Sequence, residues 1–137
     1  PFNEILVGGK TFTALASQTL SLQELGAYPL IMLGNESMSR LFYRQFFLEH
    51  SADLKPDIEA ATTDQMMTLV KSELGLAFVP EPMARGNLHR KRILQMNLQE
   101  AIPSRSVCLV YDPRRPLNTA AREFRHQLLE SAKNKQK

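Results

Sequence analysis

The feature that most constrains this chain is a repeated switch between two hydrophobic periods. Pro29–Leu33 (PLIML) and Leu76–Val79 (LAFV) are unbroken apolar runs, the pattern of strands covered on both faces in a parallel sheet. Between them, apolar residues recur at helical spacing. Met38, Leu41, Phe42 and Phe46 do so up to about His50, and Met66, Met67, Leu69, Val70 and Leu74 do so up to Gly75. The helix starts carry residues that satisfy free N–H groups. Thr62 with Gln65 and Ser21 with Glu24 are capping boxes, and Gly34-Asn35-Glu36-Ser37 reads as a turn and helix start. Further strands are expected at Glu4–Gly8, Asp57–Ala61, Ile93–Leu98 and Ser106–Tyr111. Pro82 suits a short helix that Gly86 stops. A last helix is expected from Leu117 to about Lys133, with Leu117, Ala121, Phe124, Leu128 and Leu129 facing inward. Strands alternating with helices through short connections specify an α/β fold with a mostly parallel sheet flanked by helices.

Composition narrows the class. With 137 residues and 43% hydrophobic content, the chain can bury one core. The net charge of +3 is small, and part of it sits in the tail Lys133–Lys137. The basic run Arg85–Arg92 has no aromatic residue interleaved for base stacking, so a nucleic-acid face is not expected here. The single cysteine, Cys108, excludes an internal disulfide and, set in an apolar run, reads as a buried core thiol. No apolar run reaches a membrane span. These features fit a cytoplasmic protein without membrane contact. A start at Pro1 in mid-strand reads as part of something longer.

The candidate motifs for catalysis fail one by one. Gly8-Gly9-Lys10-Thr11 follows a strand, but a phosphate loop needs a glycine where Glu4 stands, so a plain strand-end turn is expected. His50, His89 and His126 lie far apart with no ligand spacing, so no metal and no cofactor is implied. Ser37 lacks the Gly-x-Ser-x-Gly frame of a nucleophile elbow. Asp112, Arg114 and Arg115 read as a solvated turn bounded by prolines. What remains is a geometry: in open parallel sheets, ligands sit beyond the carboxyl ends of strands, at helix N-termini. Gly34–Ser39 and Thr62–Asp64 are two such junctions. Capping alone also explains Ser37 and Thr62, since every helix needs it.

The chain resembles the effector domain of LysR-type transcriptional regulators. Val70, Gly75 and Leu76–Pro80 match the family's V-x-x-G-x-G-(hydrophobic)₃-P segment, with Glu73 where that pattern usually has glycine. Leu22, Leu25, Pro29, Leu30 and Ile31 resemble its S-L-x-(D/E)-L-x-x-x-P-L-I segment, and the stretch from Val107 to Glu130 its closing strand and helix. The resemblance implies a periplasmic-binding-protein type II-like fold of two α/β lobes. Residues 12–104 would be the second lobe, and 1–11 and 105–137 the crossover strands and a C-terminal helix packed on the other lobe. The start of the first lobe and an N-terminal DNA-binding domain would lie outside the chain. The function implied is sensing a small-molecule effector in an inter-lobe cleft to modulate transcription, with a carboxylate as one candidate ligand. DNA would be contacted through the missing domain, with self-association as a homodimer or homotetramer and no enzymatic role. Carried over by position, ligand contacts would fall at Asn35, Ser37, Thr62, Thr63, Phe78, Val79 and Pro80. With the resemblance, the ligand role is favoured over capping for Thr62 or Thr63. The four aromatics Phe42, Tyr43, Phe46 and Phe47 exceed what one buried stripe can hide. Tyr43 and Phe47 are therefore expected at the subunit contact. A solute-binding protein of a transport system is the alternative reading, and a dehydratase of the prephenate type on the same scaffold a third.

Overall fold

The computed structural model describes residues 1–134 and divides into two units, Pro1–Ser106 and Val107 onward. The first unit is built on one six-stranded sheet. Its strands are β1 (Glu4–Gly8), β2 (Thr19–Leu20), β3 (Leu30–Leu33), β4 (Ile58–Ala60), β5 (Leu76–Pro80) and β6 (Leu94–Leu98), in the order β2-β6-β1-β5-β3-β4. β3 pairs in parallel with β4 and β5, and β2 with β6. β1 lies antiparallel between β5 and β6. The four strands expected to share one sheet do share it. β1 runs against the other five, inserted at the centre.

Strand periodicity explains the two cores. Leu6, Met32, Leu76, Phe78 and Met96 point to one face and meet Leu15, Leu22, Tyr43, Phe46 and Phe47. Ile5, Val7, Ile31, Ala77 and Val79 point to the other and meet Met66, Met67, Val70 and Ala84. Because neighbours along a strand face opposite ways, an unbroken apolar run is what a sheet with both faces covered requires. The helices of this unit are α1 (Thr13–Ala16), α2 (Met38–Glu49), α3 (Thr63–Lys71) and α4 (Glu81–His89). α1 and β2 had no clear sequence signal.

Several local expectations are corrected. On α2 the buried residues are Arg40, Tyr43, Phe46 and Phe47, whereas Met38 and Leu41 are exposed. Seven apolar residues are spread among Ser39, Arg40, Arg44, Gln45 and Glu49, so their spacing did not select the inward face. The Tyr43 ring centroid lies 4.4 Å from that of Phe78, and the Phe47 centroid 6.0 Å away. Both rings are packed within the monomer, which removes them as evidence for a subunit contact. α4 continues through Gly86 to His89; a helical glycine costs only about 1 kcal/mol, and buried Ala84 holds the helix down.

α3 ends at Lys71, before Gly75, and Glu73 takes the left-handed backbone conformation at φ 66°. For a non-glycine residue that costs about 1 kcal/mol, and the Glu73 carboxylate offsets it. Its oxygens accept from the backbone N–H of Lys10 at 3.0 Å and of Thr11 at 2.8 Å. A Cβ on Gly9 would sit 2.2 Å from a Glu73 oxygen, so the double glycine of the strand-end turn is where this carboxylate docks.

In the second unit, α5 spans Thr119–Asn134. No strand forms over 106–111, where Val107 and Val110 are 85% and 87% exposed and Cys108 is also exposed. A strand needs a ladder partner, and among the described residues this run has none. Phe124, Leu128 and Leu129, expected to face inward, are exposed.

Candidate functional site

The site forms where β1, β3 and β5 meet the starts of α2 and α3. Ser37 caps α2, accepting from the Arg40 N–H at 3.1 Å, and Thr62 caps α3, accepting from the Gln65 N–H at 3.2 Å. Gln65 reaches back to the Ala61 N–H at 2.9 Å. With the caps supplied by Ser37 and Thr62, Ser39 and Thr63 line a small cavity of about 30 Å³, enough for a water molecule. Glu4, Met32, Leu33, Tyr43, Met66, Phe78 and Pro80 complete its lining.

Glu4 reaches the cavity because β1 is antiparallel: its first residue stands opposite Pro80, the last residue of β5. A carboxylate from a strand start is thereby brought to the carboxyl edge of the others. Glu4 is buried, and both of its oxygens are engaged. One accepts from the Tyr43 hydroxyl, and the other pairs with Arg105 Nη1 at 2.5 Å. Arg105 Nη1 also donates to Ser39 Oγ at 2.9 Å. Burial, and then the neighbouring Glu4 charge, push the Tyr43 phenol well above its ordinary range. It therefore stays protonated, as a donor to Glu4. Nearby, Arg40 Nη1 donates to the Leu33 carbonyl, whose residue lines the cavity, at 3.3 Å and lies 3.5 Å from Glu59. The arrangement holds one fixed ion pair and two hydroxyls around a small apolar floor. That suits recognition of a polar group.

Of the seven residues named from sequence, Thr63, Phe78 and Pro80 line this cavity. Ser37 and Thr62 are occupied as caps, Asn35 accepts from Arg44 on the exposed side of α2, and Val79 is buried in the opposite core. Glu4, Ser39, Tyr43 and Arg105 were missed. Ser39 had a signal, two residues beyond Ser37 at the same junction; Glu4 and Arg105 are 101 residues apart and had none. Among the described residues, no group of three His, Cys, Asp or Glu could hold a metal ion, and no helix is long and apolar enough to cross a membrane.

The LysR substrate binding domain is the family whose model matches this sequence, over residues 6–133. The chain belongs to that family. Among solved structures similar to this LysR substrate-binding domain is the Synechocystis PCC6803 CcmR regulatory domain in complex with 2-PG. The two are 14% identical over 98% of this chain and 66% of that one, with a TM-score of 0.73. The effector binding domain of QuiR in complex with shikimate is 16% identical over 97% and 62%, with a TM-score of 0.72. HinK, a LysR family transcriptional regulator from Pseudomonas aeruginosa, is 18% identical over 90% and 43%, with a TM-score of 0.69. At these identities the likeness is one of fold, the periplasmic-binding-protein type II-like α/β architecture expected above. The chain spans about two thirds of the length of the first of these structures and less than half of the third. No curated protein matches the sequence.

Proposed function

We propose that this chain is the effector-sensing part of a LysR-type transcriptional regulator, and that it binds a small molecule at the carboxyl ends of β3 and β5. The observation that carries this reading is the polar junction there, where Ser39 and Thr63 at two helix starts line a small cavity with Glu4, and Arg105 bonds to both Ser39 and Glu4. It supplies donors and acceptors without a catalytic set, as a binding module rather than an enzyme would. Structures of the same fold are held in complex with 2-PG and with shikimate.

In the whole protein, a further DNA-binding domain would turn ligand binding into altered transcription in the cytoplasm. The apolar face of the second unit would be covered by the remaining part of the effector domain, with residues 12–104 as the core of one lobe. Self-association as a homodimer or homotetramer would use the outward side of α2, where Met38, Leu41 and Leu48 are exposed.

Paired valine variants test the site. Thr63→Val in the full protein is expected to abolish the transcriptional response to the effector while leaving the melting temperature unchanged. Thr62→Val is expected to lower stability by about 1 kcal/mol, through loss of the cap, with the response retained. Responses equal to wild type in both variants would return Thr63 to a structural role.

A further inference from the structure

We propose that the end of α4 and the turn after it form a docking surface for the phosphate backbone of duplex DNA, carried by Arg85, Arg90, Lys91 and Arg92 with His89 among them. The inference rests on the regulator reading and goes beyond it, since it puts a DNA contact on the effector-sensing part itself.

All five side chains are exposed. Along the chain, the nearest carboxylates are Glu81 and Glu100. In space, among the described residues, only Arg85 has a carboxylate within ion-pair distance, Glu81 at 3.2 Å. Four of the 17 Lys and Arg thus fall within eight residues, and the other 13 are outnumbered by 14 Asp and Glu. Without this cluster the chain would carry a net negative charge.

The helix end accounts for part of the cluster, because His89 and Arg90 stand by the last carbonyls and complement the dipole. It does not account for Lys91. The helix stops in a Schellman turn, the Lys91 N–H donating to the Leu88 carbonyl and the Arg92 N–H to that of Asn87, both at 2.9 Å. Lys91 takes φ 52° there, the left-handed position that glycine usually fills. Glu73, in the same conformation, uses its side chain to hold the glycine turn. The Lys91 side chain is left to solvent.

The make-up of the patch selects its partner. Single strands are held by aromatic stacking, a membrane surface by inserted apolar groups, and a protein partner by apolar anchors. Residues 85–92 contain no Phe, Trp or Tyr, and their one large apolar side chain, Leu88, packs on the core. The missing aromatics exclude base stacking and leave phosphate contact open. Exposed guanidinium and ammonium groups without carboxylate partners suit phosphate oxygens, which position a protein on the duplex without reading its sequence. The patch is also clear of the effector cavity. α4 starts at Glu81, next to Pro80 of the cavity lining, and its nine residues run about 14 Å back to the edge where β6 begins beside the end of β1. Effector and DNA would occupy opposite edges of the sheet and could be bound together.

Binding of the full protein to a random-sequence DNA duplex, measured by fluorescence anisotropy across a KCl series, tests this. Arg90→Gln/Lys91→Gln/Arg92→Gln is expected to reduce the slope of log K against log salt by about 2 to 3, with the melting temperature unchanged. Lys91→Gly is expected to reduce it by about 1 while keeping or raising the melting temperature, whereas loss of a structural contact would lower it. Lys55→Gln/Arg114→Gln/Arg122→Gln removes the same charge elsewhere and is expected to leave the slope within about 1 of wild type. An unchanged slope in the first triple variant overturns the proposal, as does an equal reduction in the second. An unchanged slope with lost binding of poly-L-glutamate would also overturn it and give the patch to an acidic protein. In each of these cases duplex binding by the wild type leaves the regulator reading standing. A wild type that binds no duplex overturns both.

Discussion

Leu76–Pro80 (LAFVP) and Val107–Tyr111 (VCLVY) are nearly interchangeable as sequences, and the molecule treats them oppositely. The first is β5, paired on one side with β1 and on the other with β3, and its Leu76, Ala77, Phe78 and Val79 are at most 3% exposed. The second forms no ladder, and its Val107 and Val110 are more than four-fifths exposed. Local preference for the extended state is the same in both. What differs is the supply of neighbours: β5 closes hydrogen bonds on two edges and covers two faces, so its apolar groups leave water. A strand is a property of a pairing, and composition is only a precondition for it.

Truncation gives the largest contrast. Phe78→Ala is expected to destabilise the chain by about 3–5 kcal/mol, because Tyr43 and Phe47 lose the ring they pack against. Val110→Ala is expected to stay within about 0.5 kcal/mol. Urea denaturation of both variants checks this, and equal losses would mean that 107–111 is packed after all. Cys108 supplies a chemical probe of intermediate size. In the native chain it is expected to react with a thiol reagent within about a few-fold of its rate in urea, since it is exposed. Strong protection would place the run in a ladder.

The smallest effect sharpens the comparison from the ordered side. Hydrogen bonds from Thr11 and then Lys10 hold the Glu73 carboxyl below its usual range. A carboxylate with a lowered folded pKa stabilises the native state above its unfolded pKa, and that contribution is lost as pH falls through the folded value. Glu73→Gln is therefore expected to flatten the acid limb of the stability profile measured between about pH 5 and pH 2, with Val110→Ala leaving that limb unchanged. An identical acid limb in Glu73→Gln would mean that the carboxylate does not hold the Gly8-Gly9 turn.

Much of the scaffold was legible in the chain. Apolar runs located β1, β3 and β5, and the pairs Ser21 with Glu24 and Thr62 with Gln65 marked turn and helix starts that the hydrogen bonds reproduce. These are local codes, in which a period or a cap is written within a few residues. The site was only partly legible. Thr63, Phe78 and Pro80 follow from a strand-to-helix junction, whereas Arg105 meets Glu4 across 101 residues of chain.

The sequence by itself determined most element types of the first unit, its covered sheet and the family, because periodicity, capping and a diagnostic run are short-range properties. Only the tertiary structure decided that β1 runs against its neighbours and carries Glu4 to the carboxyl edge, and that α2 turns Tyr43 and Phe47 inward. It also decided that Glu73 clamps the glycine turn and that 107–111 forms no ladder. Each of these depends on which distant surface is present to receive a hydrogen bond or a side chain, and no local pattern encodes that.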